Sequence, residues 1–347
     1  MGVRCLSPDN CGAAQGRAGL QPPAGGLLLP EPPTEFDTIR DFRKFAVGVP
    51  HEWSVALQAE FRRAHWQRDA LLEIAELDQE EPAGLWRLSK VDNDRALAAN
   101  ARTRLRAHAL HRPPTPSASE YDHLNYWTSA VEECGVLVMT TEGGRVNIDE
   151  ARAFSLYFPA VPVIMLNGTN SPRGRLFSLI HEFAHLALRT EGICDVSTDT
   201  HPTTDARRIE ARCNALAAEV LMPADLVRSP PFVIDHEGTW SLADLIEVAR
   251  AFGTSAEAML RRLLTLGFAT PAEYQAFRND NSGPVSKKQS GKGNANYTKV
   301  RDLGKGYVRA VTQAHERSLI DTSTAATYLD ARVERIPKLA RIARGGS

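Results

Sequence analysis

Residues 171–188 read SPRGRLFSLIHEFAHLAL, with His181-Glu182-Phe183-Ala184-His185 at their centre. Ser171 followed by Pro172 is a helix start. The serine hydroxyl can accept from a free first-turn amide, and proline has no amide to leave unsatisfied. Leu176, Phe177, Leu179, Ile180, Phe183, Ala184, Leu186, Ala187 and Leu188 then supply a largely apolar helix, which His181, Glu182 and His185 interrupt. Residues four apart share a helix face, so both imidazoles can reach one metal ion. Glu182 lies beside them, placed to take a proton from water that the metal activates. HExxH on a helix is the working core of a zinc peptidase. The bland alternative is a half-exposed helix with a polar stripe toward solvent. Against it, a buried apolar helix does not carry two histidines and a glutamate on adjacent turns without a partner.

A catalytic zinc takes a third protein ligand. The metzincin extension is absent, because Leu188 and Glu191 stand where it needs Gly and His. The downstream candidates are Glu191, Cys194, Asp195, Asp199, His201, Asp205 and Glu210. Glu210 is the best placed. It opens a helix over Arg207–Leu221 that Met222-Pro223 stops, and it shares a face with Asn214, Ala217 or Ala218, and Leu221. Small alanines on that face let the helix pack close to the HExxH helix, and a ligand on a second rigid helix suits a stable site. Lying among Arg207, Arg208 and Arg212, Glu210 also reads as a surface carboxylate, and spacing alone leaves both readings open.

Residues 148–223 resemble the ImmA/IrrE family of bacterial metallopeptidases. Three stretches carry the resemblance: EARAFSLYFPAVPVIMLN (150–167), SPRGRLFSLIHEFAHLAL (171–188) and IEARCNALAAEVLMP (209–223). The third matches a family pattern of Glu four residues before Asn, then Ala-Ala-Glu and a Met-Pro stop. Here these are Glu210, Asn214, Ala217-Ala218-Glu219 and Met222-Pro223. The resemblance implies His181, His185 and Glu210 as zinc ligands and Glu182 as the general base. A looser likeness runs from LPEPPTEFDTIRDFR (29–43) toward the C-terminus. Family members are selective endopeptidases that cleave helix-turn-helix repressors and so switch on stress-response or mobile-element genes. Many carry a repressor-like domain at their own N-terminus, but residues 1–50 show no helix-turn-helix. The implied protein substrate is therefore a separate repressor, or an antitoxin in a toxin–antitoxin-like pair.

Hydrolysis also needs an electrophile for the developing oxyanion and groups that orient the imidazoles. His201, Tyr157 and Arg175 are candidates for the first role. Asn214 and Glu219 are candidates for the second.

With 41 Lys/Arg against 42 Asp/Glu the chain is nearly neutral, and 43% of it is apolar, enough for real cores. Five cysteines at irregular spacings, with no CxxC pair, indicate neither a zinc ribbon nor a disulfide framework. Cys213, in the Glu210 helix, reads as a small buried hydrophobe. No stretch reaches the roughly 18 apolar residues of a membrane span. Leu27-Leu28-Leu29 is too brief for a signal peptide. A cytoplasmic protein without membrane contact is expected.

The expected fold class is α+β, mostly α: a zincin-like metal domain (small sheet plus HExxH helix), flanking helical segments and a helix-turn-helix-like module. Residues 1–35, rich in Gly, Pro and Ala, read as a disordered leader. Residues 36–118 form an N-terminal helical region with helices at 52–77 and 92–110, the second carrying Arg102, Arg104 and Arg106 as a solvated face. The metallopeptidase domain covers 119–225, with a helix from Tyr121 to Cys134 and strands at 135–140, 151–158 and 161–166. An edge of that sheet could hold a peptide as an added strand. Residues 226–275 contain the helix-turn-helix-like module. Leu242, Leu245, Val248 and Phe252 face Met259, Leu260, Leu263 and Leu264 across a Gly253-Thr254-Ser255 turn. Arg261 and Arg262 would touch DNA if the module reads it, which is the alternative reading: a DNA-binding regulator with a metal-sensing or structural zincin domain. A brace for the metal domain is favoured, since phosphate binding needs a clustered basic surface. Residues 276–298 read as a flexible linker. Residues 299–347 read as a basic tail with two helices, Gly304–Leu319 and Thr322–Ala331. From Asn281 onward 13 Lys/Arg face 5 Asp/Glu, a net +8. A solvated helical pair is favoured there over contact with nucleic acid or an acidic partner.

Overall fold

The structure, a computed structural model, describes residues 53–88, 93–188, 192–194, 204–280 and 294–345. The expected leader at 1–35, most of the linker at 276–298, and His201, Glu191, Asp195 and Asp199 lie outside the described residues. The fold is α+β and mostly α. Its elements are α1 (Val55–Leu77), α2 (Asp94–His108), α3 (Glu120–Glu133), β1 (Leu137–Thr140), β2 (Ala153–Leu156), β3 (Val163–Leu166), α4 (Pro172–Ala187), β4 (Gly192–Cys194) and α5 (Thr204–Leu221). There follow α6 (Ala224–Arg228), α7 (Pro231–Ile234), α8 (Leu242–Arg250), α9 (Ala256–Leu266), α10 (Pro271–Asp280), α11 (Ala295–Leu303), α12 (Lys305–Glu316), α13 (Thr322–Tyr328) and α14 (Ile336–Ala343).

The sheet runs β1-β3-β2-β4. β1 pairs parallel with β3, Leu137 opposite Val163, while β2 pairs antiparallel with both β3 and β4. Every residue of β1, β2 and β3 is buried. Their sequences LVMT, AFSL and VIML are the near-continuous apolar runs of a sheet covered on both faces. Helix α4 packs on β2 and β3, while α11 and α12 pack against β1. At Gly304 the backbone has φ +92°, and a Cβ there would stand 2.1 Å from the Val138 carbonyl oxygen. Glycine is what lets α11 and α12 join this close to the strand.

Helix α4 begins as its sequence says: the Ser171 hydroxyl accepts from the Gly174 amide at 3.1 Å, and Pro172 opens the first turn. Leu176, Leu179, Ile180, Phe183 and Leu186 enter the core. Helix α5 lies across α4 and α2, with Cys213, Leu216, Ala217 and Val220 buried. Ala217 is fully buried, the close-packing position expected of it.

Helices α8 and α9 form the expected two-helix corner. Leu245, Val248, Met259, Leu260 and Leu263 are buried between them and the rest of the core. Gly253, at φ +67°, makes the turn against the His123 ring, where a Cβ would clash at 2.4 Å. Arg262 is not on the outer face. It is 5% exposed, its Nε donates to the Met222 carbonyl at 2.9 Å, and its guanidinium pairs with Glu219. Thr254 also reaches Met222, hydroxyl to sulfur at 3.4 Å. The corner is bolted to the end of α5, so Arg262 is unavailable to DNA, while Arg261 is exposed. The Arg102–Arg106 stretch is likewise only partly solvated. Arg102 reaches the carbonyls of Val220 and Leu221 at the end of α5, and Arg104 donates to Leu85 O at 3.0 Å.

The C-terminal segment holds four helices and a short 3-10 turn over Val333–Arg335, rather than the two helices expected. They are packed, with Val300, Leu303, Tyr307, Val308, Val311, Leu339 and Ile342 buried. Several of the segment's cations meet carboxylates within the molecule: Arg309 with Glu132 and Glu133, Arg317 with Asp78, and Lys299 with Asp330. A buried arginine fastens this segment to the sheet. Arg63 Nη1 donates to Asp302 O at 3.0 Å, Nη2 to Thr140 O at 2.7 Å, and Nε to Glu60 at 2.8 Å. Glu60 in turn accepts from the Glu142 amide at 2.8 Å. No helix among the described residues is long and apolar enough to cross a membrane.

Candidate metal centre

His181 and His185, one turn apart on α4, are 4% and 1% exposed, and their Nε2 atoms face each other at 3.1 Å. Glu210, from the middle of α5, completes a triangle. Its two oxygens lie 3.3 Å from His181 Nε2 and 3.2 Å from His185 Nε2. The three side chains form a group whose donor atoms converge. The sequence left Glu210 open between ligand and surface carboxylate, and the packing of α5 on α4 brings it to the imidazoles.

Two facing imidazole nitrogens and a carboxylate are a donor set that suits zinc. With ligand distances of about 2.0–2.1 Å, the edge of a tetrahedral site is about 3.3 Å, close to the three separations here. Glu182 supplies an independent check. It is fully buried, and neither carboxylate oxygen has a hydrogen-bond partner among the described residues. A buried carboxylate without a partner is costly unless its site serves chemistry. The residues present therefore fit the metal.

Electrostatics agree. Burial of Glu210 raises its carboxyl, but the hydrogen bonds and charges of His181 and His185 outweigh that and hold it at about 2. Burial of His185 disfavours its charge. Hydrogen bonding to Cys213 and Glu210, together with the Glu182 carboxylate, overcomes this and pushes the imidazole up to about 10. A pocket that attracts a proton this strongly also favours a divalent cation.

Asn214, the residue expected to orient an imidazole, has its Oδ1 3.1 Å from His181 Nδ1. With the proton on Nδ1, the ring donates to Asn214 and leaves the Nε2 lone pair toward the centre. Glu219 does not meet the imidazoles. It pairs with Arg262 and accepts from the Ala224 amide at 3.3 Å, sitting where the chain turns out of α5. Of the oxyanion candidates, Arg175 is buried with its guanidinium 6.0 Å from the Tyr121 ring on α3. Tyr157 sets its ring edge-on to Trp86 at 5.7 Å. The backbone of Cys194 is in β4, and Asp205 is in α5.

Cys213 is fully buried with a free thiol, in keeping with its reading as a small buried hydrophobe. It shares a helix face with Glu210 and Asn214, standing at i+3 between their i and i+4.

Residues 131–264 match the IrrE N-terminal-like domain. That stretch is similar to the ImmA/IrrE family of metallopeptidases. The matched stretch runs from the end of α3 through most of α9, so it takes in the sheet, the HExxH helix, α5 and the two-helix corner. Over 111 residues the chain is 34% identical to the radiation response metalloprotease IrrE of Deinococcus deserti. That alignment covers 31% of this chain and 37% of the relative, so the chain spans little more than a third of the relative's length.

Proposed function

We propose that this protein is a zinc-dependent endopeptidase that cleaves a specific protein substrate, such as a helix-turn-helix repressor or an antitoxin, in the cytoplasm. The observation that carries the reading is the convergence of His181, His185 and Glu210 beside the buried, unpartnered carboxylate of Glu182. A purely structural metal site has no use for a base in that position. The family likeness of residues 131–264 and the metalloprotease name of the Deinococcus deserti relative support the class of reaction. The radiation-response name of that relative supports a regulatory role.

Zinc would supply a Lewis acid there that polarises the scissile carbonyl and eases deprotonation of water. His181, His185 and Glu210 would hold it. Asn214 keeps His181 in the tautomer whose Nε2 lone pair points inward. Glu182 takes the proton from the attacking water and returns it to the leaving amine nitrogen, a transfer its burial favours by excluding competing bulk water. Of the two ends of the sheet, β1 is covered by α11 and α12, while β4 closes the other end and belongs to the same segment of chain as the site. We place the substrate strand along β4. A proline within Gly192–Cys194 that left cleavage unaltered would dismiss that placement.

Zinc per chain, measured on purified wild type and Glu210→Ala, tests the centre. Near one zinc in wild type and far less in the variant is expected, and equal occupancy would show the third ligand to be another residue. Glu182→Gln separates binding from chemistry: it should keep zinc and lose cleavage by about 10²–10⁴-fold. Retained cleavage in that variant overturns the mechanism.

A further inference from the structure

The C-terminal segment contains a second two-helix corner. Helix α13 ends at Tyr328, and Asp330 then takes φ +42°, a left-handed position that aspartate tolerates. The 3-10 turn over Val333–Arg335 leads directly into α14. Helix α12 packs against both α13 and α14, and Val311, Ala325, Leu329, Ile336 and Leu339 are buried. A short helix, a tight turn and a second helix, braced by a third, make a helix-turn-helix arrangement.

The covered faces set this corner apart from the one formed by α8 and α9, where Arg262 is buried against Glu219. Here the buried face of α14 is apolar, with Ile336, Leu339, Ala340, Ile342 and Ala343. Lys338 and Arg341 stand three residues apart on the other face and are both exposed, as is Arg332 just ahead of the helix. None of these three cations forms an ion pair with a described residue. Three nearby acids are committed elsewhere. Asp330 meets Lys299 Nζ at 2.6 Å, Asp321 accepts from the Thr324 amide at 2.7 Å, and Glu316 pairs with Arg344. Exposed Glu334 offsets one of the three charges and leaves cations in excess.

We propose that this corner binds double-stranded DNA, with α14 in the major groove and Arg332, Lys338 and Arg341 against phosphates. This goes beyond the peptidase reading and does not rest on it, because no residue of the metal centre takes part. The charges alone would also suit an acidic protein. The corner decides for the duplex, since an exposed helix face held by a short helix and a tight turn is the form that enters a major groove. Three phosphate contacts give weak, salt-dependent binding. With about 0.9 counterion released per contact, the logarithm of the binding constant should fall with the logarithm of salt at a slope of about −2.7.

The test uses the full chain and a short fluorescein-labelled duplex of mixed sequence, read by fluorescence anisotropy between about 50 and 200 mM salt. Replacing Lys338→Gln and Arg341→Gln together should weaken binding by about 10-fold or more at the lower salt and bring the slope to about −0.9. Arg261→Gln, which removes an exposed arginine from the other corner, should change neither readout. Poly-L-glutamate at the same charge concentration should not displace the duplex. No binding at the lower salt, wild-type affinity in the double variant, or an equal loss in Arg261→Gln would overturn the proposal. Displacement by poly-L-glutamate would also overturn it and assign the face to an acidic protein. Should circular dichroism show the double variant misfolded, Arg332→Gln alone is expected to reduce the slope by about 0.9, and an unchanged slope there refutes the contact.

Discussion

Arg262→Ala removes the guanidinium that ties the two-helix corner to the end of α5. Its side chain is 6% exposed and that of its partner Glu219 is 20% exposed. The change leaves two groups short of a partner, one Glu219 oxygen and the Met222 carbonyl, and opens a cavity where the arginine stem lay. Breaking a fully buried ion pair from one side costs about 3–5 kcal/mol. Glu219 keeps some access to water, so the lower end applies, about 3 kcal/mol. At about 2–4 °C per kcal/mol, a value for domains of somewhat smaller size, melting should fall by roughly 6–12 °C. The assay is thermal and urea unfolding by circular dichroism for Arg262→Ala, Glu219→Gln and the double variant. The two sites should couple by about 1 kcal/mol or more, because the second substitution removes the charge that the first left unpaired. A loss below about 1 kcal/mol with additive single effects would refute the bracing role and return Arg262 to the outer face, where a DNA contact expects it.

Asn214→Ala should weaken zinc by about 10–100-fold while leaving the fold intact, since it frees the His181 ring to rotate. Chelator competition reads this directly, and unchanged affinity would show that His181 is oriented by something else. Burial pushes the Cys134 thiol up to about 11. Its reactive thiolate is therefore scarce at pH 8 and grows about tenfold per pH unit up to that value. Peptide-resolved mass spectrometry of native protein treated with iodoacetamide should find Cys134 nearly unmodified at pH 8. Rapid labelling there would show that α3 and β1 do not shield it.

Much of the centre is legible in the chain because its signals are local. The interval between His181 and His185 is one helical turn, and the Ser171-Pro172 start that makes the segment helical lies within the same 18 residues. The four-residue strands likewise announce themselves as short apolar runs. Capping, helical period and β-branched runs depend on neighbours in sequence, so no knowledge of the rest of the fold is needed to read them. Even Asn214 follows from one more turn of the same helix geometry once Glu210 is chosen.

What distant segments do to one another was not legible. Residue types leave Glu210 as well placed among three arginines in solvent as beside two imidazoles, and the packing of α5 on α4 decides between them. Arg262 carries the same charge as Arg261 and lies next to it. One is buried against Met222 and Glu219, the other exposed, because the helix period gives adjacent residues different faces and tertiary contact decides which face is covered. Glu60 and Arg63 pair with each other at i, i+3 on α1, yet both are interior, and their further partners Thr140, Glu142 and Asp302 lie 77 to 239 residues away along the chain. A charge can be buried only where enough acceptors from other segments meet it, and sequence spacing carries no record of that meeting.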